Sequence, residues 1–190
     1  MMSSTHAAAG LALAAAFALL APALGIPAGV VAAAAVGALA GGIFPDLDLA
    51  ATHRKTLHFP VYYSVAAAGA VAVAALAPGP WTVGGAFFLL SAAVHSVSDV
   101  LGGSVEARPW LATDDRAVFL HVRGQWLPAR RWIRYDGAPE DLGAAAVLAL
   151  PGLAVFDGPI QTATLALLAV SAGYVLIRKR LPEFEEKYLQ

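Results

Sequence analysis

GGIFPDLDLAATHRKTLHFP, residues 41–60, decides how this chain is read. Two aspartates, two histidines, an arginine and a lysine stand at positions 46–58, between two long runs that carry no charge at all. Apolar runs near 20 residues cross a bilayer as helices. The stretch is therefore a polar loop joining two membrane helices, placed where chemistry can meet the membrane surface.

The rest of the composition agrees. The chain is 59% hydrophobic and 13% charged, about half the charge of a soluble domain, with a mean hydropathy of +0.69. Alanine and glycine dominate the apolar runs, which suits helices packed closely in lipid. Cysteine is absent. That excludes disulfides and thiolate nucleophiles, and leaves nitrogen and oxygen donors for any metal.

Spans are expected at residues 7–24, 26–44, 60–78, 81–101, 142–156 and 160–177. The fifth is short and contains Pro151 and Gly152, so it is expected to kink or tilt. MMSSTH lacks the basic residues of a secretory signal, so the first run reads as a span. Residues 102–141 differ in kind: AVFLHV, RGQ and WLPARRWIRYDG read as short strands joined by turns. The fold class is an all-α integral membrane protein of about six transmembrane helices with a small, partly β insertion between helices four and five. Three parts follow: 1–101, a four-helix membrane half carrying the candidate site; 102–141, a polar cytoplasmic insertion; and 142–190, two further helices and a charged tail.

With six spans, all twelve Lys and Arg residues lie at one face, in the 45–59 loop, the insertion and the tail. The positive-inside rule makes that face cytoplasmic, with both termini inside a cell membrane. The five histidines fall on the same side. In VHSVSDVL, His95 and Asp99 are four apart and share a helix face. PDLD is expected to be extended after Pro45, with Asp46 and Asp48 pointing the same way. Imidazole with carboxylate is the donor set of zinc, manganese or iron sites.

The order of an early histidine, GGIFPDLD, HRKTLH and HSVSD resembles the bacterial and archaeal family of inner-membrane metal-dependent hydrolases, one branch of which is described as LexA-binding. The likeness spans His6 to Asp99. The family pattern often has Gly and Ser where this chain has Lys55 and Phe59. The resemblance implies a hydrolase without supplying a substrate. A fainter likeness, Asp then His then His-x3-Asp, is to zinc-dependent phospholipases C and points toward phosphoesters.

The expected metal ligands are His6, Asp46, His58, His95 and Asp99. An aspartate at the mouth of a span and ionisable groups inside one are costly without partners. Asp48 and His53 are the candidate general base, or groups that hold a ligand in place. Arg54 is the candidate substrate clamp, because its forked donors suit a phosphate. His121 sits in the alternation of AVFLHV and reads as a strand residue. The basic and aromatic insertion reads more simply as a belt against lipid headgroups than as a nucleic-acid surface. The P-loop, the GxSxG elbow and the HExxH helix are missing. The expectation is a hydrolase acting at the cytoplasmic face on a lipid or lipid-linked phosphoester, with a divalent metal, zinc first. The alternatives are a metal- or proton-coupled transporter and a membrane-tethered regulatory binding protein.

Overall fold

A computed structural model describes residues 1–188; the last two residues of the charged tail lie outside the described residues. In chain order the elements are α1 (Ser3–Leu20), α2 (Ala28–Ile43), α3 (Pro60–Leu76), α4 (Pro80–Ser98), β1 (Arg116–Leu120), β2 (Gln125–Pro128), α5 (Pro139–Val155), α6 (Gly158–Ile177) and α7 (Leu181–Tyr188). Helices α3, α4 and α5 begin on a proline. The ring presets φ, and the missing N–H would have had no partner there anyway.

Among the described residues, four stretches are long and apolar enough to cross a membrane: Ser3–Leu24, Ala28–Leu49, Pro80–Leu101 and Gly158–Phe184. Helix α3 is apolar but shorter, at 17 residues. Helix α5 is also 17 residues, with Glu140 and Asp141 in its first turn and Pro151 inside it.

Small residues set the packing. Gly37 and Gly41 of α2 face α4 so closely that a Cβ on either would lie 2.1 Å from the Gly84 carbonyl oxygen or 2.0 Å from that of Phe88. This is the close backbone approach that small residues four apart allow. Helix α1 packs between α2 and α5, and Gly152 of α5 makes room for Leu11, which is fully buried. Ala14, Ala15, Ala34, Ala35 and Ala38 continue that core with Val30, Val83 and Phe156.

The insertion holds the β1–β2 antiparallel pair, in the register Val118↔Leu127, Phe119↔Trp126 and Leu120↔Gln125. The expected strand in WLPARRWIRYDG stops at Pro128. Beyond it the amides of Arg130, Arg131 and Ile133 donate to the carbonyls of Val100, Gly102 and Leu101, tying the segment to the end of α4. His121 falls just after β1, in a 3-10 turn, with its ring against Phe59 and Phe119.

Two aspartates, Asp141 buried and Asp136 half-buried, close the same end of the bundle. Asp141 accepts from the Met2 amide at 2.8 Å, the Thr5 hydroxyl at 2.7 Å and the Gly137 amide at 3.1 Å. Asp136 accepts from the Tyr174 hydroxyl at 2.5 Å and from the Arg178 guanidinium at 2.8 and 3.0 Å. The starts of α1 and α5, the end of α6 and the insertion therefore meet at one end. The turns at the other end, 21–27, 77–79 and 156–157, contain no Lys or Arg.

Candidate metal centre

Asp46, His58, His95 and Asp99 converge at the end of the bundle where the polar loop lies. One ligand atom from each lies within 4.8 Å of the other three. All four residues are buried, and only Asp46, at 8% exposed, retains measurable access to solvent.

Each side chain arrives for a local reason. His95 and Asp99 come from the last turn of α4 and the 3-10 turn that continues it, one above the other, with His95 Nε2 3.6 Å from Asp99 Oδ2. His58 precedes Pro60, the first residue of α3. Asp46 follows Pro45 at the start of the 3-10 segment Phe44–Ala50. The extended conformation expected for PDLD is overturned here. With three residues per turn, positions two apart point in different directions. Asp46 therefore turns into the cluster, and Asp48 turns to its outer side.

That divergence gives the two aspartates different work. Asp48 accepts from Nδ1 of His58 at 3.0 Å, from Nδ1 of His53 at 2.8 Å and from the Leu57 amide at 3.2 Å. His95 Nδ1 donates to the Gly42 carbonyl at 2.7 Å. Both Nδ1 atoms face groups that only accept, so each carries the proton, and each Nε2 turns a lone pair inward. Those lone pairs meet carboxylate oxygens. His95 Nε2 is 3.3 Å from Asp46 Oδ1, and His58 Nε2 is 3.3 Å from Asp99 Oδ2 and 3.7 Å from Asp46 Oδ1. His58 Nε2, His95 Nε2 and Asp99 Oδ2 have no hydrogen-bond partner.

Buried acceptors that face one another repel unless a cation lies between them. Burial opposes charge on His58, but the Asp48 and Asp99 carboxylates outweigh it and raise its pKa above the ordinary 6.5. A metal fits the same space. Four ligands about 2.0–2.1 Å from a tetrahedral ion stand about 3.3 Å apart, and a carboxylate or carbonyl on the far nitrogen is how metal-binding imidazoles are held.

The remaining expected residues surround this group. The structure places His6 beside the four rather than among them. Its Nε2 is 2.9 Å from Asp99 Oδ1, its Nδ1 is 3.2 Å from the Ser98 hydroxyl, and its ring stacks on His95 with centroids 3.7 Å apart. His53 is partly exposed and linked to the cluster through Asp48. Arg54 is 3% exposed, donates to the Gly103 carbonyl at 2.6 Å, and brings Nε to 3.4 Å from Asp99 Oδ2 without a hydrogen-bond partner for that nitrogen. Its backbone is left-handed, at φ 59°, and its carbonyl accepts from the Phe119 amide of β1. His121 lies apart from the cluster.

Ser3 and Gly42 also contribute, and neither carried a signal in the sequence. Ser3 donates its hydroxyl to Asp46 Oδ2 at 2.5 Å. Gly42 supplies the carbonyl that orients His95, and a Cβ there would lie 2.6 Å from the Ala7 Cα. A serine 43 residues from its partner and a glycine acting through its backbone have no spacing to read.

A cavity of about 650 Å³ opens beside the centre, lined at this end by Asp46, His53, Arg54 and Ser104. Comparison with protein-family models, curated proteins and solved structures returned no match to the chain.

Proposed function

We propose that this protein is a membrane-embedded, metal-dependent hydrolase that works at the cytoplasmic face of the cell membrane on a lipid or lipid-linked phosphoester. The observation that carries the reading is the set of inward, unpartnered atoms His58 Nε2, His95 Nε2 and Asp99 Oδ2, facing Asp46 Oδ1 at a metal's spacing. Two imidazoles and two carboxylates favour zinc, with manganese and iron as substitutes. The family resemblance from His6 to Asp99 points the same way. In this reading α3 and α5 also cross the membrane, giving six spans with both termini inside, since every Lys and Arg lies at the end that holds the centre.

A divalent ion bound there supplies Lewis acidity toward a phosphoryl oxygen and makes water a nucleophile near neutral pH. The chain's own residues do the rest. Asp48 holds His58 in its tautomer, and Gly42 does the same for His95. His53, partly exposed at the cavity and hydrogen-bonded through Nδ1 to Asp48, is the group placed to take a proton from water. Arg54, a buried cation that lines the cavity, is suited to a phosphate oxygen.

The test is metal content by mass spectrometry on detergent-purified protein, beside His95→Ala and Asp99→Asn, followed by a phosphoester screen of the loaded protein. Stoichiometric metal lost in both folded variants, with turnover in the wild type, is the expected result. A wild type that takes up no metal removes the chemistry.

One observation favours a second reading. Four protein donors is the complement with which structural zinc sites close, which suits a membrane-tethered binding protein. Tight metal that supports folding without turnover on any phosphoester would favour it. A transporter fits less well, because the centre lies at the helix ends and alternating-access sites lie near the midplane.

A further inference from the structure

The cavity beside the centre is unequal at its two ends. One end is polar and includes Asp46, His53 and Arg54. The other runs onto α6, where Leu167, Val170, Ser171 and Tyr174 line it. These positions are three or four apart and form one stripe of the helix. Helix α6 is also the least enclosed of the long apolar stretches, with 11% of its most apolar part buried against 39–44% for the others. Val170 is 71% exposed. The wall of the cavity therefore continues onto the apolar outer surface of α6, so the cavity opens sideways beside α1.

We infer that this is a lateral lipid site: the hydrocarbon chain of a lipid phosphoester lies along Leu167 and Val170 while its anionic headgroup reaches Arg54 and the metal centre. Three observations commit the site to that occupant. Arg54, 3% exposed, lines the polar end, so an anionic headgroup would meet its charge at low cost in desolvation. The far wall carries Leu167 and Val170 beside the polar Ser171 and Tyr174, and the two apolar side chains continue onto a surface that would face acyl chains, which a water-soluble phosphoester would not use. Lys179 and Arg180, exposed at the end of α6, lie where anionic headgroups gather. The inference rests on the hydrolase reading for what happens to the headgroup, but not for the binding of the lipid.

The test uses the full chain, metal-loaded, in vesicles that contain phosphatidic acid with a photoactivatable diazirine on one acyl chain. Wild type is compared with Leu167→Trp and Val170→Trp, which fill the groove, and with Leu165→Trp, on an exposed face outside it. Labelling is expected to concentrate on α6 near Leu167 and Val170 and to fall about tenfold in the two groove variants. The control should keep it. Labelling spread evenly over α6, or unchanged by the groove variants, overturns the site. A second arm measures turnover of a long-chain phosphoester and of a short, water-soluble one. Loss confined to the long-chain substrate in the groove variants supports the inference, and equal loss of both overturns it while leaving the hydrolase reading standing. Groove labelling without turnover of either substrate supports the lipid site and removes the hydrolase.

Discussion

His58 and His95 each commit one ring nitrogen to a fixed acceptor and leave the other for a cation, so their partners matter as much as the rings. Replacing the acceptor of His58, Asp48→Asn, is expected to lower metal affinity about 10- to 100-fold while leaving all four ligand atoms in place. Titration against a chromophoric chelator checks it. The same measurement at two pH values tests whether protons compete with metal at His58. The His58 pKa is raised above 6.5, so protons compete with metal through neutral pH. Metal affinity should therefore weaken as pH falls from 8 to 6, by about tenfold per unit for each proton displaced. A flat response would mean that the metal does not bind at His58. Arg54 offers a sharper test, because its backbone sits at φ 59°, a conformation that costs a non-glycine residue about 1–2 kcal/mol. Arg54→Gly relieves that strain and removes the guanidinium. Retained metal with phosphoester affinity reduced about 10- to 100-fold marks a substrate clamp; loss of metal instead marks a structural partner of Asp99.

At the scale of elements, the centre depends on how closely α1, α2 and α4 approach. Gly42 has backbone contact with Ala7 on one side and orients His95 with its carbonyl on the other. Gly42→Ala must push α1 away, and the expected result is weaker metal binding in a protein that keeps its helical circular dichroism. Gly41→Leu acts on the neighbouring face of α2, toward α4, where the Phe88 carbonyl leaves no room for a side chain. Its effect should appear in the unfolding midpoint, at about 1–3 kcal/mol or more. Stability unchanged by that leucine would contradict the contact between α2 and α4.

For the whole molecule, the six-span reading predicts two chemically distinct faces. The natural chain lacks cysteine, so single introduced cysteines report without background. Leu24→Cys and Asp157→Cys should react with a membrane-impermeant maleimide in intact cells, whereas Arg123→Cys and Lys179→Cys should react only after permeabilisation. Reaction of all four in intact cells would break the assignment of the charged end to the cytoplasm.

Composition and hydropathy were enough to show apolar helices joined by a charged loop and a partly β insertion, because burial in lipid demands long uncharged runs whatever the tertiary contacts. The 95–99 spacing was legible because the helical repeat brings residues four apart to one face. Only the tertiary structure decided which donors meet. Asp46 and Asp48 were assigned a common direction from the sequence, and the 3-10 turn after Pro45 separated them, since short 3-10 and extended segments share composition and differ by a rotation no pattern records. His6 was expected as a ligand; packing of α1 against α4 set it on the other oxygen of Asp99. Gly42 and Ser3 entered the site through a carbonyl and a distant hydroxyl, and such contacts exist only once helices far apart in the chain have been brought together.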